Sequence, residues 1–118
     1  MKETNVARKR EEYSRLLSVS LARAVEKLSA SADVKRISLF GSYARKTAGL
    51  FTDLDILVIM DSNKPFLERT RDLYAHLALP VDADILCYTP DEFRRLKRTP
   101  FLQRILAEEV VLHEKDQH

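Results

Sequence analysis

Glycine is nearly absent from this chain of 118 residues, which has two glycines, one cysteine and four prolines. The lone cysteine, Cys87, excludes an internal disulfide, and in the apolar run ILCY it reads as a buried small hydrophobe. No cluster of Cys or His suggests zinc, and His76, His113 and His118 show no ligand spacing and read as surface residues. No apolar run approaches the ~20 residues of a membrane span, and the opening MKETNVARKREEYSR is too charged for a signal peptide. The expected compartment is the cytoplasm. Repeats, linkers and low-complexity segments are also missing, and the length suits one domain spanning residues 1–118.

Both glycines, Gly41 and Gly49, fall in one stretch, Ile37 to Met60, which reads ISLFGSYARKTAGLFTDLDILVIM. Glycine is required where the backbone takes φ > 0 or lies against another group. Its confinement to this stretch predicts a backbone shaped to approach a ligand. The stretch reads as a strand, a tight turn at Gly41-Ser42, a short helix to about Lys46, and a second strand from about Asp53 to Met60. Residues i and i+2 of a strand share a face, so Asp53 and Asp55 project side by side, about 7 Å apart along the backbone. At the mouth of a strand made of Leu, Ile, Val and Met, two such carboxylates are costly for structure. They suit a hard divalent cation, which prefers oxygen ligands.

Taken in order, a first helix from about Asn5 to Ser29 carries the apolar stripe Tyr13, Leu17, Leu21, Val25 and Leu28. Its turns around Arg8 to Glu12 extend past that stripe. Val34 to Phe40 is the first strand. The second is so apolar after Asp55 that it should be central and covered on both faces. A helix after Pro65 should turn Phe66, Leu67, Thr70, Leu73, Tyr74 and Leu77 inward and stop at Pro80. Val81 to Tyr88 is the third strand. Thr89-Pro90-Asp91-Glu92 is a capping-box start, and Thr99-Pro100 opens a helix with Phe101, Leu102, Ile105 and Leu106 on one face. Val110 to His113 is a short edge strand. The resulting class is mixed α/β: a small central sheet with helices on one face and a cleft on the other.

Residues 1–30 carry seven Lys or Arg against four Glu, and the rest thirteen against fourteen acidic residues. A basic first helix of this density reads as a solvated face rather than a nucleic-acid surface.

Gly41-Ser42-Tyr43-Ala44-Arg45, followed by Asp53-Leu54-Asp55, resembles the signature of the DNA polymerase beta-like nucleotidyltransferase superfamily, and within it the minimal nucleotidyltransferases, the MNT group. The resemblance is strong over Ile37 to Met60 and looser over Val81 to Phe93. It implies a third carboxylate on a neighbouring strand. Asp82 and Asp84 share a face, so alternation cannot choose between them; the family's apolar-Asp-apolar setting favours Asp84. Lys46, where the family has glycine, and Thr52, where serine is usual, depart from the pattern.

The resemblance implies transfer of AMP from ATP to a hydroxyl, with two Mg²⁺ ions held by Asp53, Asp55 and Asp84 as catalytic and metal residues. Gly41 and Ser42 would bind the nucleotide phosphates. Arg45 would either join them or form a structural ion pair. The implied partner is a HEPN-domain toxin, neutralised by adenylylation as in a toxin–antitoxin pair, and a homodimer is a further expectation. The rival readings are a catalytically silent module that scaffolds a partner and a nucleic-acid-modifying nucleotidyltransferase.

Overall fold

The computed structural model describes residues 2–45 and 53–115. The chain runs α1 (Lys2–Ser29), β1 (Val34–Phe40), α2 (Gly41–Ala44), β2 (Leu54–Met60), α3 (Phe66–Leu77), β3 (Ala83–Tyr88), α4 (Pro90–Leu96), α5 (Pro100–Glu108) and β4 (Val110–Glu114). The four strands form one sheet in the order β3-β2-β1-β4. β1 pairs antiparallel with β2 and β4, and β2 pairs parallel with β3 across the α3 crossover. The mixed α/β class, the small sheet and the long first helix are as the sequence implies.

The layering differs from expectation. Even-numbered β2 residues Leu54, Ile56 and Val58 pack with Leu17, Ala24 and Leu28 of α1 and Leu73 and Leu77 of α3. Odd-numbered Leu57 and Ile59 pack with Leu102 and Ile105 of α5 and, at the margin, Phe93 of α4. Helices therefore cover both faces, because a strand apolar on both sides needs apolar cover on both. Asp55 shares the odd-numbered face of β2 with Leu57 and Ile59, at the end of the strand paired with Phe40.

The inner face of α3 also departs from the expected one. Its buried residues are Arg69, Leu73 and Leu77, while Leu67 is 73% exposed. The Arg69 guanidinium donates to Glu92 Oε1 at 2.7 Å, to Cys87 O at 2.9 Å and to Lys64 O at 3.0 Å. A buried cation is tolerable only when so paired. The same Glu92 closes the Thr89 capping box of α4, so one carboxylate ties α3, β3 and α4 together. α3 ends at Leu77 rather than at Pro80, with Ala78 in the left-handed conformation (φ 44°). Tyr74 Oη accepts the Ile85 N–H of edge strand β3 at 2.9 Å. Cys87 is fully buried, as expected, and burial pushes its thiol up to about 11.

Candidate functional site

The two strands expected to carry carboxylates are neighbours, and their parallel register sets Asp55 directly opposite Asp84. Their side chains share a hydrogen bond. Burial, the adjacent Asp84 and Asp53, and that hydrogen bond together push Asp55 up to about 6, against a smaller opposing pull from Arg45. The ionised form of Asp55 is therefore costly at this end of the sheet. Asp82, exposed as Asp84 is, lies just before β3 and acts with Asp53 on Tyr13, and its carbonyl accepts the Leu54 N–H at 3.1 Å, opening the β2–β3 ladder. Of the two candidates, Asp84, on β3, is the one paired with Asp55.

Gly41 is built around this pair. It takes φ +77°, and a Cβ there would lie 2.0 Å from Asp55 Oδ2 and 3.2 Å from Asp55 Cβ. Only a residue without a side chain fits. Ser42 follows within α2, Tyr43 packs against the α1-side core, and Arg45 ends the helix, its N–H donating to Gly41 O at 3.1 Å.

Two residues the sequence reading did not assign to the site complete its walls. Glu108, the last residue of α5, accepts the Gly41 N–H at 3.1 Å and the Arg45 guanidinium at 2.7 Å. The Arg45 hydrogen bond holds the Glu108 carboxyl below its usual range. The ion pair open to Arg45 is formed, with Glu108. Tyr13 of α1, expected only as part of the apolar stripe, faces the acidic cluster: burial first, then Asp53 and Asp82, push its phenol up. The features expected at Lys46, Gly49 and Thr52 lie outside the described residues.

Among the described residues no three carboxylate, thiol or imidazole groups stand together as a finished metal cage. The donor chemistry nevertheless fits a divalent cation. Asp53, Asp55 and Asp84 are hard oxygen donors, and a cation among them would relieve the crowding of charge that pushes Asp55 up.

A family model for the nucleotidyltransferase domain matches residues 20–117. The chain belongs to the nucleotidyltransferase domain family. No curated protein matches it. Among solved structures, a proposed nucleotidyltransferase from Sulfolobus solfataricus aligns with TM-score 0.61 at 19% identity, over 89% of this chain and 86% of that one. A toxin–antitoxin structure with AMP-PNP aligns with TM-score 0.54 at 21% identity, over 81% and 72%. A complex of tri-AMPylated Shewanella oneidensis HEPN toxin with MNT antitoxin aligns with TM-score 0.53 at 20% identity, over 84% and 73%. At such identities the likeness is one of fold. Within the nucleotidyltransferase fold, the Gly41 turn and the Asp55–Asp84 pair lie together at one end of the sheet, and no helix of the described residues is long and apolar enough to cross a membrane.

Proposed function

We propose that this nucleotidyltransferase transfers AMP from ATP to a hydroxyl of a partner protein, as the antitoxin of a HEPN/MNT-type pair. The observation that carries the proposal is the apposition of Asp55 and Asp84 beneath a turn only glycine can make. In this proposal Asp53, Asp55 and Asp84 hold two Mg²⁺ ions. Such ions, when bound, stabilise the charge on the attacking and leaving oxygens of an in-line displacement. The acceptor oxygen forms its bond to the α-phosphorus as the bond to pyrophosphate breaks, and the hydroxyl proton passes to Asp84. Gly41 admits the triphosphate close to the backbone, and Ser42 binds its oxygens. Arg45, held by Glu108 through one guanidinium nitrogen, keeps further N–H donors for a phosphate.

ATP as donor and a HEPN-type protein as acceptor are supported by the neighbours of like fold, one holding AMP-PNP and one a tri-AMPylated HEPN toxin. We further propose that residues 1–118 act as one cytoplasmic domain, with the exposed early turns of α1 available for a partner or a second copy. A silent scaffold is the rival, and it gives no reason to keep Asp55 crowded against Asp84.

The deciding experiment incubates the protein with labelled ATP, Mg²⁺ and the protein encoded beside it, the HEPN-type partner of this proposal. A gain in the neighbour's mass by one or more AMP units is expected. Formation of a stable complex with unchanged mass would favour the scaffold.

A further inference from the structure

Away from the carboxylates, at the opposite end of the sheet, a cavity of about 480 Å³ opens between the start of β1, the end of β4 and α4. Ile59, which helps to line it, stands four residues along β2 from Asp55, about 13 Å at strand rise. Five cations line the cavity: Lys35, Arg36, Arg94, Lys97 and Lys115, against a single acid, Glu114. Lys35, Arg36 and Lys115 are partly buried, so their stems are part of the wall.

Three of these cations are ion-paired, Lys35 and Arg94 with one carboxylate each and Arg36 with both Glu109 and Glu114. The ammonium groups of Lys35 and Lys115 converge on one acceptor, the carbonyl oxygen of Ala32, at 3.4 and 2.9 Å. Two like charges drawn to one neutral oxygen repel, and an anion placed between them would relieve that cost. Lys97 has no ion-pair partner among the described residues. Lys35 and Arg94 pair only with Asp61 and Asp91, both well exposed, and pairs of that kind are weak enough to be exchanged for a ligand phosphate. Beside the cations lie the apolar surfaces of Ile59 and Phe93. A cavity of this size with charge at the rim and an aromatic ring in the wall suits a nucleoside monophosphate.

We propose that this cavity is a second binding site, for a phosphate-bearing ligand of mononucleotide size, with phosphate oxygens between Lys35, Lys97 and Lys115 and the base against Phe93 and Ile59. It is independent of the transfer site and of the reaction proposed there.

The test titrates the full chain, labelled with ¹⁵N and held in EDTA, with AMP and separately with inorganic tripolyphosphate. With AMP, saturable amide shifts are expected at Ile59, Phe93, Lys97 and Lys115. Lys97→Glu combined with Lys115→Glu should weaken AMP at least about tenfold, since charge-assisted contacts carry most of the affinity. Rising salt should weaken binding in parallel. The milder Lys97→Gln with Lys115→Gln guards against misfolding and should weaken it in the same direction. Tripolyphosphate should move the lysine amides and leave Ile59 and Phe93 still. Equal shifts at Ile59 and Phe93 from both ligands would overturn the base subsite. AMP shifts confined to Gly41–Ala44, or undiminished in both double variants, would overturn the site itself. A uridine oligonucleotide that outcompetes AMP and also shifts α1 would replace it with a nucleic-acid surface.

Discussion

The Cβ that any residue other than glycine would carry at position 41 falls 2.0 Å from Oδ2 of Asp55, on the neighbouring strand. Turn and carboxylate therefore constrain each other. Gly41→Ala should displace Asp55 and also strain a backbone held at φ +77°, the latter costing about 1 kcal/mol. The expected outcome is a folded protein whose melting temperature no longer responds to Mg²⁺ with ATP and whose transfer rate falls at least about 100-fold. Retention of both properties would show that nothing approaches the site past this turn.

Asp55 carries an electrostatic cost in the metal-free chain, set by burial and by Asp84 and Asp53. Asp55→Asn removes the charge and keeps the shape. In EDTA at pH 8 it should stabilise the protein by about 1 kcal/mol, the full effect of the crowding being reduced by solvent screening. In Mg²⁺ with ATP the order should reverse, because the parent gains by ligand linkage and the variant does not. Thermal melts of both proteins in both buffers check the crossing, and a variant less stable than the parent in EDTA would refute it.

Asp84 and Asp82 test the division of labour on β3. Asp84 is opposite Asp55, whereas Asp82 contributes a backbone carbonyl to the ladder. Asp84→Asn should cost at least about 100-fold in transfer rate and Asp82→Asn less than about tenfold. Single-turnover rates at saturating ATP decide it, and the opposite ranking would move the third carboxylate to Asp82.

The Arg69–Glu92 pair gives a pH dependence remote from the site. Chiefly through its hydrogen bond to Arg69, Glu92 is held below its ordinary value of 4.5. A carboxyl depressed in the folded state contributes stability that is complete above 4.5 and fades as pH falls through the lower folded value. Glu92→Gln should lose about 1 kcal/mol at pH 7 and show a shallower loss of stability below pH 4.5 than the parent. Urea midpoints from pH 7 to pH 3 provide the measurement. Parallel curves would mean that the pair contributes nothing through charge.

Much of this was legible from local pattern. β1 was read to its observed bounds, Val34–Phe40, because its apolar run ends against Gly41, and α4 and α5 begin at Thr-Pro caps whose chemistry is written in adjacent residues. The Asp pair and the Gly-Ser turn were legible because both depart from what a buried strand tolerates. Arg69 was missed although it stands four residues before Leu73 and eight before Leu77, the spacing of a buried face. A cation reads as surface until its partner is known, and Glu92 lies 23 residues away. The helices on the second face were missed for the opposite reason. An apolar β2 on both sides already demanded them, but nothing local says where α4 and α5 will lie. The basic cavity gathers residues from β1, α4 and β4, which are dispersed in the sequence.

Glu108 sits 67 residues beyond Gly41, and its neighbour Glu109 pairs with Arg36 across a separation of 73. Two adjacent carboxylates thus grip opposite ends of β1. On a ribosome, the turn at Gly41 and the guanidinium of Arg45 would be exposed long before their anion is synthesised. Loop closure over such a span is slow relative to forming the β1–β2 hairpin. The turn at Gly41 would consequently be among the last parts of the fold to acquire its final shape, and a nascent or truncated chain lacking α5 would present it without the carboxylate that holds its N–H and Arg45.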